Sequence, residues 1–127
     1  ITFHGHLDHT RLRAHLARAS LFLQHSVTEP NGNTEGLPSS IQEAMAAGCA
    51  VVSTRHAGIP EAVTEGTTGS LVAEHDAQGF AAAIAARLAD PGGTRAMGTA
   101  ARHVAVQRFD KATLTARIDA ALRAAAT

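Results

Sequence analysis

The chain reads as an α/β protein: an open parallel sheet with flanking helices. Short β-branched and aliphatic runs alternate with segments whose apolar residues recur at helical spacing, and glycine or proline stands at most of the changes between them. The tail beyond Asp76 keeps the helical period throughout. A length of 127 residues suits one domain, and a chain of that size buries roughly two-thirds of its unfolded surface.

Residues 1–5, with Ile1 and Phe3 ahead of Gly5, have the composition of a strand closed by a tight turn. Asp8 is placed to cap a helix in which Leu12, Leu16 and Ala19 repeat at helical spacing, with Arg11, Arg13 and Arg18 on its flanks. Residues 20–24 are mostly apolar, which predicts a strand covered on both faces. The pattern then stops over residues 25–37, where Pro30, Asn31, Gly32 and Asn33 predict a loop longer than the usual connection.

Pro38 suits the first position of the next helix, where its missing N–H costs nothing; Ile41, Ala44, Met45 and Gly48 follow on one face. Gly48 ends that helix, and residues 50–53 form a third strand. Residues 57–60 open a short helix through Val63, with Pro60 in its first turn. A glycine-bounded turn at 65–69 leads to a fourth strand at 70–73. Asp76 then caps a helix with Phe80, Ile84 and Leu88 four apart, stopping at residues 90–93. Two helices complete the chain, 94–109 with Met97, Ala101 and Val104 inward and 111–125 with Leu114, Ile118 and Leu122 inward. Residues 1–127 make one domain, with 110–127 its C-terminal helix.

Eleven basic and eleven acidic side chains cancel, which removes the field that a nucleic-acid or acidic-membrane binder uses. Cys49 is the only cysteine and lies in an apolar run, so it reads as a core residue of a reducing compartment. No stretch approaches a membrane span and no basic region followed by an apolar one opens the chain, so the expected location is cytoplasmic. The chain starts at Ile1, inside an expected strand and without an initiator Met, and is expected to be a fragment.

Chemistry concentrates in residues 33–58. In a parallel sheet ligands bind beyond the carboxyl ends of the strands, and the loop carrying Glu35 follows one such end. At the helix start after Pro38, unpaired N–H groups and the helix dipole suit a phosphate; Ser39, Ser40 and Ile41 would supply the donors, with the two serine hydroxyls in addition. Glu35 and Glu43 do not share a helical face in the i, i+4 sense, so they suit different parts of one elongated ligand. A carboxylate accepts paired hydrogen bonds from vicinal hydroxyls, which a sugar or a ribose offers. The bland alternatives stand beside this: Glu35 as a solvated loop acid, Glu43 as an acid favoured by the helix dipole, and Ser39 and Ser40 as small polar residues at a helix start. His4, His6 and His9 lack a matching Cys or carboxylate set, so no metal site is expected. His56, at a strand end beside Gly58, reads as a solvated loop histidine within reach of a ligand. Neither Gly-x-Gly-x-x-Gly nor a P-loop occurs.

The order of the blocks carries a resemblance. Glu35, seven intervening residues and Glu43 run into Ala44-Met45-Ala46-Ala47-Gly48; Val51-Val52-Ser53-Thr54, Gly58-Ile59-Pro60-Glu61-Ala62-Val63 and Gly66-Thr67-Thr68-Gly69-Ser70-Leu71-Val72 follow. In this order, and with Phe3-His4-Gly5 before them, they resemble the C-terminal, donor-binding half of family 4 (group 1) retaining glycosyltransferases of the GT-B fold, from Ile1 to about Phe109. Where that family often has Phe-Gly this chain has Leu37-Pro38, and its usual proline before the Val-Val strand is Ala50.

The resemblance implies a partial Rossmann-like C-terminal domain whose parent transfers a hexose from a nucleotide-sugar donor, such as a UDP- or GDP-hexose, with retention. The implied setting is surface polysaccharide or glycoconjugate synthesis, in the cytoplasm or at the inner face of the membrane. Glu35 would be the catalytic-site residue that contacts the donor sugar, and Glu43 would hold the ribose. Backbone around Gly36, Leu37, Pro38, Ser39 and Ser40 would approach the sugar and diphosphate. No metal or other cofactor is implied. The acceptor, a glycan or lipid-linked glycan, would be held by an N-terminal domain. The family's basic Arg/Lys pair would lie upstream of Ile1, so the isolated chain is expected to be inactive, and an exposed sheet edge would favour self-association. A non-catalytic nucleotide-sugar-binding or interaction module of the same fold is the alternative; a sugar-nucleotide epimerase is disfavoured by the Glu-Ala-Met-Ala-Ala-Gly block.

Overall fold

The computed structural model describes residues 1–125 as a three-stranded parallel sheet with helices around it. Its elements are α1 (His9–Leu16), β1 (Leu21–Gln24), α2 (Ser39–Ala47), β2 (Ala50–Thr54), α3 (Ile59–Ala62), β3 (Gly69–Val72), α4 (Ala77–Ala89), α5 (Pro91–Phe109) and α6 (Lys111–Ala125). The strand order is β1-β2-β3, with Phe22 opposite Val51 and Val52 opposite Ser70.

The core lies where β2 meets α2 and α5. Every residue of β2 is buried, as the central strand of a covered parallel sheet requires. Ile41 and Met45 of α2, with Val51, Ile59 and Val63, join Ala101 and Ala105 of α5 in one cluster. Ile41 and Met45 are fully buried, each contributing about 1.5–3 kcal/mol from apolar burial. Gly48 ends α2 at φ 89°, and this left-handed turn sends the chain directly into β2. Asp8 and Asp76 cap α1 and α4 by accepting from Arg11 N and Gly79 N, each at 2.8 Å.

Residues 1–5 form no strand: Ile1 and Phe3 are exposed, and no strand lies beside them among the described residues. Strand composition without a pairing partner leaves the backbone to water. The sheet therefore has three strands rather than the expected four. For the same reason β1 is an edge, paired only to β2, and Leu23 is 46% exposed instead of covered.

Five helix expectations change. Helix α1 stops at Leu16, so Arg18 and Ala19 lie beyond it. Pro38 is the N-cap of α2, extended at ψ 130°, not its first helical residue. Residues 90–93 both stop one helix and start the next: Asp90 accepts from Gly93 N at 2.9 Å, Pro91 opens α5, and that helix begins three residues before Thr94. Leu88 of α4 is exposed, because only the Phe80 and Ile84 end of the stripe is partly covered. On α6, Leu114, Ile118 and Leu122 are exposed, since no described element lies over them. Of the expected C-terminal helix 110–127, α6 covers Lys111–Ala125, and residues 126–127 lie outside the described residues.

Candidate functional site

Beyond the carboxyl ends of the strands, the loop of residues 25–38 and the start of α2 gather most of the polar side chains that reach between elements. Ser53 Oγ donates to the Gln24 carbonyl at 2.6 Å, tying β2 to the end of β1. Thr54 Oγ1 donates to the Ser26 carbonyl at 2.5 Å and accepts from Ser26 N at 3.2 Å. The Gln24 side chain faces α2: its Oε1 accepts from Ser40 Oγ at 2.7 Å, and its Nε2 donates to Ser26 Oγ at 3.2 Å. Ser53 and Thr54 are fully buried, so they need such partners, and meeting that need fixes where the loop leaves the sheet.

A second anchor lies farther along the loop. The Glu74 carboxylate, just after β3, accepts from Thr28 N at 2.7 Å and from Thr28 Oγ1 at 3.3 Å. Its Oε1 is also 2.8 Å from His56 Nδ1. The Thr28 N–H foremost, then the His56 ring, bring the Glu74 carboxyl down to about 2. An ionised carboxylate only accepts, so His56 Nδ1 carries the proton. His56 is 1% exposed, which corrects the solvated loop histidine of the sequence reading: an acceptor 18 residues away makes burial affordable.

The Gly36-Leu37 backbone rests on Gly58. A β-carbon on Gly58 would stand 3.3 Å from Leu37 Cβ and from Leu37 N, so the residue ahead of α3 is part of the loop's seat.

Glu35 is exposed and lines a polar cleft of about 320 Å³ with Gln24, His25, Ser26, Asn33 and His56. Among the described residues its carboxylate has no hydrogen bond or ion pair. Gly36 is exposed, and Leu37 and Pro38 are half-buried. Ser39 and Glu43 line a different cleft, about 390 Å³, between α2 and the end of α5. Glu43 also borders a cleft of about 360 Å³ towards His9 and Arg13 of α1. The structure thus brings residues 36–40 together at one helix start and sets Glu35 and Glu43 in separate clefts.

At that start α2 has no side-chain cap. Ile41 N donates to the Pro38 carbonyl at 3.2 Å, so Ser39 and Ser40 supply the free N–H groups, two instead of the expected three. The Ser40 hydroxyl is engaged by Gln24, which leaves Ser39 as the free hydroxyl of the pair.

Cys49 is buried, its Sγ 3.5 Å from the Leu16 and Ala19 carbonyls, and burial raises its thiol above the ordinary value. Among the described residues no group of three or more His, Cys, Asp or Glu is arranged to hold a metal ion. His4 instead meets His15, ring centroids 4.4 Å apart. No helix among the described residues is long and apolar enough to cross a membrane.

The sequence reading placed Gln24 in a strand and Thr28 in a loop, and gave neither of them nor Glu74 a role at the site. A signal existed in Ser53 and Thr54, two hydroxyls ending a strand that is otherwise apolar, which imply polar partners beyond it.

Residues 1–104 match the model of the family described as glycosyl transferases group 1. The putative colanic acid biosynthesis glycosyltransferase WcaL of Salmonella typhimurium is 51% identical over 79 residues, 62% of this chain and 18% of that protein. The sucrose-phosphate synthase of Thermosynechococcus elongatus superposes with a TM-score of 0.83 at 28% identity, over 99% of this chain and 31% of that one. Anabaena HepE in complex with UDP-glucose superposes with a TM-score of 0.74 at 29% identity, over 86% of this chain and 29% of that one. The chain therefore spans less than a third of the length of each of these relatives.

Proposed function

The chain belongs to the group 1 glycosyl transferases, with the α/β fold of their GT-B C-terminal region, and we propose that it forms the distal part of a nucleotide-sugar-binding domain in a hexosyltransferase. One observation carries this reading: the unpartnered Glu35 carboxylate stands ahead of the uncapped start of α2, on the carboxyl side of the sheet. Acceptors for hydroxyls lie next to donors for a phosphate.

In this reading Glu35 receives hydroxyls of the donor sugar and acts in the catalytic site. The N–H groups of Ser39 and Ser40 meet the diphosphate, with Gly36, Leu37 and Pro38 shaping the approach. Glu43, in the neighbouring cleft, takes the ribose. HepE was solved with UDP-glucose, and a UDP- or GDP-hexose is the proposed donor here. The bond from the anomeric carbon to the diphosphate breaks on the face where the bond to the acceptor oxygen forms, and the departing phosphate takes the acceptor's proton. Retention, as in family 4, follows from that geometry. No metal takes part.

The acceptor, a glycan or lipid-linked glycan, is held by another part of the parent protein, in the cytoplasm or at the inner face of the membrane. WcaL, the relative named for colanic acid biosynthesis, supports polysaccharide synthesis as the setting. The chain alone is inactive, and the outer edge of β1, unpaired among the described strands, favours self-association; sedimentation showing only monomer at high concentration would remove that last element.

The test is a titration of this chain with UDP-glucose and with GDP-mannose, followed by amide NMR. Shifts centred on Ser39 and Ser40 are expected with one of the two; none with either overturns the donor-site reading.

A further inference from the structure

His56 is buried to 1% exposure, yet it lines the same cleft as Glu35. Its Nδ1–H is spent on Glu74, and among the described residues Nε2 has no protein partner. A neutral imidazole that donates from Nδ1 presents Nε2 as an acceptor. The Gln24 amide also borders this cleft; its Oε1 accepts from Ser40 and one of its Nε2 N–H groups donates to Ser26. The Glu35 carboxylate and His56 Nε2, each without a hydrogen-bond partner among the described residues, are two acceptors that line one cleft. Two such acceptors suit a ligand that brings its own O–H donors.

We propose that His56 is a specificity residue of the sugar pocket, accepting a hydrogen bond from a hexose hydroxyl at Nε2 beside Glu35, and that Glu74 is the positioning residue that holds the ring in that tautomer. The inference rests on the donor reading above and adds a second reader of the hexose, placed after β2 rather than in the Glu35 loop. Because Glu74 also holds Thr28, one carboxylate sets both the imidazole and the loop that carries Glu35. The ring and the loop are thereby kept in mutual register.

The experiment measures affinities of UDP and UDP-glucose, and of GDP and GDP-mannose, for the chain and for His56→Leu, His56→Gln and Glu74→Gln. The readout is the ratio by which the hexose improves on the bare nucleotide. His56→Leu is expected to cut that ratio about three- to tenfold, the worth of one hydrogen bond, with nucleotide affinity unchanged. His56→Gln, which keeps an acceptor oxygen, retains part of it, and Glu74→Gln lowers it by freeing the tautomer. If His56→Leu does not fold, the other two variants decide. An unchanged ratio in the folded variants overturns the inference while leaving the donor site intact. Equal loss for nucleotide and nucleotide-sugar also overturns it, by making His56 structural. Failure of the unmodified chain to bind any of the four ligands overturns the donor reading, and this inference with it.

Discussion

Gly98 of α5 faces the carbonyl of Gly48 so closely that a β-carbon on Gly98 would lie 2.1 Å from that oxygen and 3.2 Å from Ala50 N. The contact seats the longest helix on the turn that joins α2 to β2. It explains how small residues let α5 cover the central strand.

Gly98→Ala sets two effects against each other. Alanine favours a helix interior by about 1 kcal/mol, but the atoms it meets are backbone and cannot swing aside. Overpacking wins, with a net loss of about 1–3 kcal/mol and a fall of several degrees in the thermal midpoint. A melting curve that does not move would show that the two segments are farther apart than described.

Glu35→Ala in the full-length parent is expected to abolish hexose transfer and leave the melting temperature within a degree or so, because Glu35 is exposed and has no partner among the described residues. Circular dichroism and a transfer assay check both halves. Turnover at the unmodified rate would remove Glu35 from the catalytic site.

Glu74 makes the loop's anchorage sensitive to acid. Its folded pKa, about 2, lies below its ordinary value of 4.5, so its contribution to stability is complete above about 4.5 and fades as the pH falls towards 2. The protection factor of the Thr28 amide, its exchange rate corrected for the intrinsic pH dependence, should fall over that interval, ahead of those of β2. In Glu74→Gln the interval should lose this behaviour; an identical acid profile would place the anchorage elsewhere.

Transfer by the parent is expected to persist after exhaustive treatment with a chelator. The proposed charge stabilisation comes from N–H groups at the start of α2 and from other parts of the parent. Activity lost with chelator and restored by a divalent cation would refute a metal-free mechanism.

What could be read from residue order alone follows how local each cause is. The run from Pro38 through α2 and Gly48 to β2 is set by neighbours in sequence, and its buried face was legible in Ile41, Ala44 and Met45. The caps at Asp8 and Asp76 act three residues ahead and were legible for the same reason. Residues 1–5 and α6 misled, because an apolar pattern reports what a segment can bury and not whether another element is there to receive it. At the site, Glu35 and the α2 start were legible as types of group. The pairing of His56 with Glu74 and of Ser40 with Gln24 joins residues 18 and 16 positions apart, and only the assembled sheet brings them together.

The placing of Glu35 and Glu43 in separate clefts has a consequence for how a bridging molecule comes and goes. Once one end is held, the other is confined near its own cleft at an effective concentration of roughly millimolar, so two weak grips act as one firm grip. Under the proposed donor reading, cleavage between sugar and diphosphate would remove that advantage at once. Each piece would then be left with a single grip, and the proposed reaction would itself loosen its products.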